Sequence, residues 1–165
     1  MNIEAIIQEI IPPDNYQFRN GFSNTHIIDR LNVQEKSLIE EVLINNLRIK
    51  EDLLIVETLA YLKSQKSLPV LYSLLHNNLS ETSRIIVSAS IFTINNDEKM
   101  QKIAIIAFKG LEKIQDAYFA YRLIPMFHFL RKFHNQATDE LLEAYTRHAD
   151  FLLSYNAKRA LSEEA

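Results

Sequence analysis

Between Leu53 and Leu75 the chain reads LLIVETLAYLKSQKSLPVLYSLL, apolar almost throughout but interrupted by Lys63, Gln65 and Lys66 and carrying Pro69. Ile55, Leu59 and Leu62 stand at i, i+4 and i+7 with Val56 beside them, which is one face of a helix. Glu51 and Asp52 precede the run, where a helix favours acids, and Lys63 falls in its last turn. The stretch SQKS then ends it. Pro69 opens LPVLYSLLHN, a position that tolerates proline because the N–H groups of a first turn have no intrahelical partner. The pattern predicts helix, short turn, helix. It is too long for a strand, and its charges and proline exclude a membrane span.

The pattern repeats. Shifted by 32 residues, Leu53, Leu54 and Ile55 fall on Ile85, Ile86 and Val87. Leu59 and Leu62 fall on Ile91 and Ile94, and Leu71 and Leu74 on Ile103 and Ile106. Ser64 and Gln65 fall on Asn96 and Asp97, both turn-formers. A fixed period of this size marks stacked helical hairpins. Outside it, residues 3–11 predict a short helix ended by Pro12 and Pro13, followed by a loop over 12–25 with three aromatics, Tyr16, Phe18 and Phe22. Asn32 and Glu35 form a capping-box signature before a helix over 33–47. Asp97 and Glu98 open a further helix that Gly110 should stop. Residues 116–133 read as a helix kinked at Pro125. Thr138, Asp139 and Glu140 should cap the last segment, two helices parted near His148 to Asp150. The expectation is eight to ten helices in one domain spanning 1–165: an N-terminal helix and loop over 1–31, stacked hairpins over 32–161, and a frayed tail over 162–165.

The stretches IVETLAYLKSQKSLPVLYSLL (55–75) and SRIIVSASIFTINND (83–97) resemble HEAT-like, armadillo-type repeats. The first looks like the second helix of one repeat followed by the proline-initiated first helix of the next. The second carries Arg84 near the place where that family often has an arginine. The sequence departs from the pattern at Gln101, where a proline is expected, and at Thr58, Ser88 and Ser90, where small alanine-type residues are common. The resemblance implies an all-α fold, a short right-handed α-α superhelix of stacked antiparallel helix pairs. It implies architecture and not activity. In such arrays the second helices line the concave side, which commonly binds. Carried onto this chain, that side would present Glu57, Tyr61, Arg84, Ser88, Tyr118, Tyr121 and Arg122 as partner-binding residues.

Composition supports the helical reading. There are two glycines, Gly21 and Gly110, against roughly 7% in average usage. Glycine supplies the positive φ of hairpins and tight βα turns, so a sandwich, barrel or dinucleotide fold is excluded. A hydrophobic content of 47% is enough for a sizeable core. With no cysteine, disulfides, thiolate metal sites and a cysteine nucleophile are excluded. The opening residues MNIEAIIQEIIPPD carry acids and no basic region, which makes a poor signal peptide. No window of about 18 uncharged apolar residues exists, so no membrane contact is expected and a cytoplasmic protein is. Residues 1–98 hold 8 Lys and Arg against 13 Asp and Glu, while residues 99–165 hold 10 against 8. Neither part has the basic stripe that a phosphate backbone demands, which argues against a nucleic-acid partner.

Candidate chemistry is sparse. No G-x-S-x-G, P-loop or H-E-x-x-H motif occurs. His128 and His134 are six apart, about 240° around a helix, which is not a zinc spacing. His26, His76 and His148 read as surface or capping residues. The pairs Glu40-Glu41, Glu51-Asp52, Asp97-Glu98 and Asp139-Glu140 are adjacent on the chain and point apart on a helix, and three lie at helix N-termini where acids complement the dipole. No catalytic residue, metal or small-molecule cofactor is therefore expected. The densest cluster is aromatic: Tyr118, Phe119, Tyr121, Phe127, Phe129 and Phe133, with Arg122, Arg131 and Lys132 among them. Phe119, Leu123, Phe127 and Leu130 fit a core stripe, leaving Tyr118, Tyr121 or Arg122 to face solvent, and aromatic with arginine is the composition of interface hot spots.

These features point to a non-enzymatic protein-binding module whose partner is another protein. One concrete form is a bacterial immunity protein that holds and neutralises a cognate toxin domain. Toxins that attack nucleic acid are often basic, and the acidic N-terminal part would steer one in. The alternatives are a HEAT-repeat adaptor in a larger complex, or an enzyme on the same architecture, as some DNA glycosylases and phycobilin lyases are. The glycosylase form would need a basic concave groove.

Overall fold

Polar side chains at helix starts divide the chain. The computed structural model describes residues 3–162 and places eleven α-helices among them. Asn15 accepts the Phe18 N–H at the start of α2 (Tyr16–Arg19). Asn32 and Glu35 form the expected capping box of α4 (Val33–Ile49), with bonds of 3.0 and 2.8 Å. Asp52 accepts from Leu54 and Ile55 at the start of α5 (Leu53–Tyr61), and Ser80 from Ser83 at the start of α7 (Glu81–Asn95). Each cap satisfies a backbone donor that the helix cannot, worth about 1 kcal/mol. The remaining helices are α1 (Ile3–Ile10), α3 (Thr25–Asp29), α6 (Leu68–Leu75), α8 (Lys99–Glu112), α9 (Phe119–Arg131), α10 (Gln136–Tyr145) and α11 (Phe151–Ser162). Pro69 lies in the first turn of α6, as its missing N–H requires.

Several boundaries differ from the sequence expectation. The loop over 12–25 contains the short helix α2. The stretch after α5 is ordered by a 3₁₀ turn, Gln65–Ser67, and Lys63 stands beyond the helix with φ 54°. Gly110 does not stop α8, which continues to Glu112. A Cβ at Gly110 would come within 3.0 Å of the Glu81 side chain, so the glycine answers to close approach of α7. Asn135, not Thr138, caps α10, and Thr138 is buried. Helix α9 starts at Phe119 and runs unbroken through Pro125, which sits on its exposed side. Ser162 closes α11, and the rest of the expected frayed tail lies outside the described residues.

From α5 onward the odd-numbered helices form a row, α5 on α7, α7 on α9, and α9 on α11. Helices α8 and α10 each pack on the two row members that flank them in the chain, and α6 packs on α4 and α7. The row is built from one recurring motif. Val87, Ile91 and Ile94 are buried on α7, Leu123, Phe127 and Leu130 on α9, and Leu153, Ala157 and Ala160 on α11, each at i, i+4 and i+7. On α5, Ile55 and Leu59 are buried in the same spacing. The expected match of α6 to α8 slips by one residue. Leu71 and Leu74 are buried, but Ile106 is 70% exposed, and Ala104, Ala107, Phe108 and Leu111 face the core instead. The two linkers leave their helices alike, through Lys63 at φ 54° and Asn96 at φ 56°, but differ in length: 62–67 add a 3₁₀ turn, whereas 96–98 cross directly.

One hydrophobic cluster extends from Ile10 to Ala160. Helix α7 is at its centre, touching α5, α6, α8 and α9, and every residue from Ile85 to Ile91 is buried. No helix among the described residues is long and apolar enough to cross a membrane.

Candidate functional site

The N-terminal segment is fastened to α5 by two polar clusters, and the fastening creates a groove. Arg19 donates from Nη1 and Nη2 to both carboxylate oxygens of Asp52, at 2.7 and 2.8 Å, and from Nε and Nη2 to the Pro12 carbonyl. Asp52 spends Oδ1 a second time on the α5 cap. Burial works to raise its pKa, but the guanidinium fork and the two helix N–H groups prevail and hold it below the ordinary carboxylate value. Deeper in, Asn24 is buried and donates from Nδ2 to the Ile10 carbonyl at 3.0 Å and to Thr58 Oγ1 at 2.7 Å. Thr58 passes its own proton to the Leu54 carbonyl. A threonine that departs from the repeat pattern thus anchors the preceding loop.

Three adjoining cavities run from this junction across α5, α7 and α9. The first, about 460 Å³, lies between the N-terminal loop and α5, with Asp14, Arg19, Glu51, Asp52 and Glu57 on its walls. The second, about 240 Å³, shares Phe22, Leu54 and Glu57 with it and reaches Tyr61, Thr93 and Lys132. The third, about 330 Å³, shares Thr93 and Lys132 and ends at Lys63, Asn96 and His134. Lys63, Asn96 and His134 each have positive φ, at 54°, 56° and 43°, and each follows the C-terminus of a row helix. The same left-handed exit after α5, α7 and α9 therefore builds one end of the groove. Lys63 donates to the Thr93 carbonyl at 2.7 Å and Gln65 to that of Ile94 at 2.9 Å, so the α5–α6 linker holds the last turn of α7.

Two opposite charges face the middle cavity without closing on each other. Glu57 is half-buried, and burial raises its pKa against the pull of Lys132. Burial lowers the pKa of Lys132, with Glu57 opposing and Lys63 adding to the effect. The Lys132 ammonium sits 4.8 Å from the centre of the Phe129 ring, a cation–π contact. Glu57 makes neither a hydrogen bond nor an ion pair among the described residues, and Lys132 makes no ion pair there.

The expected binding residues divide. Glu57 and Tyr61 line the groove. Tyr61 is 44% exposed, and its hydroxyl donates to Asp29 at 2.7 Å. Tyr118 and Tyr121 are both exposed at 69% near the start of α9, outside the three cavities. Arg84 is half-buried near the start of α7, with its Nε 3.9 Å from Glu81. Arg122 is committed to its own loop, 2.6 Å from Asp116 and donating to the Ile114 carbonyl. Ser88 is corrected outright. It is fully buried with its hydroxyl unpaired, because α7 is covered on all sides and has no concave face at that position. Of the aromatic cluster, Phe127 belongs to the core against Phe108 and Tyr145, and Phe133 pairs with Phe92 beneath the third cavity. Arg19, Asp52, Lys132 and His134 complete the groove without having been chosen from the sequence. The only advance signals were Phe22 in a polar loop and Lys132 among aromatics.

Among the described residues no group of three or more His, Asp or Glu side chains could hold a metal ion. No protein-family model matches the chain, and neither a curated protein nor a solved structure matches it.

Proposed function

We propose that the chain is a non-enzymatic protein-binding module built as a short HEAT-like array, and that the groove across α5, α7 and α9 is its binding face. The observation that carries this reading is the pair Glu57, half-buried, and Lys132, exposed, opposite charges that face one cavity without forming an ion pair. A partner that brings a counter-charge to each gains electrostatic complementarity at this face. A rigid row of helices adds to the case, because its surface loses little entropy on docking.

The concrete form we favour is an immunity protein that occupies a basic toxin domain. Glu51 and Glu57 on the first cavity support it, since they leave that wall net negative beside the paired Asp14 and Asp52 and attract a cationic partner. The same wall repels phosphate, which disfavours the DNA-acting alternative. An adaptor in a larger complex uses the same face and differs only in its partner. The test is co-expression of the tagged chain with the product of the adjacent gene. A stable complex that relieves that product's toxicity is the expected result. A complex without toxicity would move the assignment to an adaptor, and neither complex nor protection would overturn the reading.

A further inference from the structure

The groove carries unlike charges at its two ends. At the α5 end, Glu51 and Glu57 face a cavity in which Asp52 is already paired with Arg19, and Asp14 with Arg19 and Lys50. At the α9 end, Lys132 and His134 face the third cavity, where Lys63 is already held by the Thr93 carbonyl. Leu54, Ala60 and Phe92 contribute apolar surface between these ends. Three hollows joined through shared walls, with a negative and a positive terminus, form a continuous groove that fits an extended polypeptide better than a folded surface. Resting on the binding reading above, we propose that the groove takes an extended segment of the partner protein, with a lysine or arginine beside Glu57 and an aspartate or glutamate beside Lys132.

Geometry limits the spacing. From α5 to α9 is two interaxial steps of about 8–10 Å each. An extended chain advances about 3.3 Å per residue and turns alternate side chains to the same side. Those two steps are about 16–20 Å, so about six residues fill the groove. Glu57 and Lys132 line the same cavity, so their anchors lie closer together than the full span, an even number of residues apart, two or four.

The experiment selects random nine-residue peptides displayed on phage against the full chain at about 0.15 M salt. Enriched peptides are expected to pair a basic with an acidic residue at one of those spacings. The best of them should bind Glu57→Gln and Lys132→Gln each about tenfold more weakly, and selection on each variant should lose the matching preference, basic for the first and acidic for the second. Chemical-shift mapping on the unmodified chain gives an answer that needs no substitution: amides of residues 54–61, 92–96 and 132–134 should move together. The inference is overturned by no enrichment, by enrichment without the charge pair, by unchanged affinity in both variants, or by shifts confined elsewhere. If the adjacent-gene product forms its complex equally well with both variants, this inference falls and the binding reading stands. If no complex forms at all, both fall.

Discussion

Asp52 performs two tasks with one carboxylate, and the substitution to asparagine separates them. Asparagine caps a helix as well as aspartate does, so the bonds to Leu54 and Ile55 survive. The bidentate pair with Arg19 does not. Both partners are mostly buried, their side chains 11% and 18% exposed, so Arg19 would be left with the Pro12 carbonyl and the more distant Asp14 carboxylate at 3.5 Å. Asp52→Asn should therefore cost about 2 kcal/mol at neutral pH. Because the folded pKa of Asp52 lies below its unfolded value, the pair stabilises the chain fully above the ordinary carboxylate range, near 4, and progressively less as pH falls through the folded value. The urea-unfolding free energies of the two proteins should differ at pH 7, and the gap should narrow as pH falls below about 4. A gap that persists in acid would show that shape, not charge, is what the asparagine lost. None of this pairing could be read from the sequence. Arg19 and Asp52 are 33 positions apart, and the helix α2 that presents Arg19 is a single turn with no apolar periodicity.

The helices themselves were legible where two local signals agreed. Asn32 with Glu35 announced α4 and Pro69 announced α6, because caps and proline act within one turn. Gly110 misled because glycine has two uses, and neighbouring sequence cannot say which applies. Here the backbone of α8 stays helical and the missing side chain makes room for Glu81. The atoms in the way are the flexible end of a partly exposed glutamate, which can swing aside. Gly110→Ala should then recover helix propensity worth about 0.5–1 kcal/mol and raise the thermal midpoint. Calorimetry settles the sign. A lowered midpoint would mean that the Glu81 contact is rigid and the glycine is required for packing.

Position in the whole molecule explains why α7 was misjudged and predicts how the chain opens. A repeat pattern assigns each helix an inner stripe and an outer face, and by that rule Ser88 belongs outside. The rule fails for a helix with neighbours all around, and α7 is buried continuously from Ile85 to Ile91 by α5, α6, α8 and α9. Burial at that depth depends on helices contributed by both flanks of the chain, so no window of sequence contains it. The groove shares the same origin: its walls come from the N-terminal loop, α5, α7 and the end of α9, and only the row of helices brings them into line. In a linear array each element is held by its neighbours, so protection should fall from the centre outward. Amides over 87–92 should exchange with deuterium only through global unfolding, at a free energy equal to that measured in urea. Those of α1 and α11, each covered from fewer directions, should exchange through smaller openings. Native-state hydrogen exchange across a urea series reads this directly. If α11 or α1 held the slowest amides, α7 would not be the keystone, and the groove that crosses it would lose its claim to rigidity.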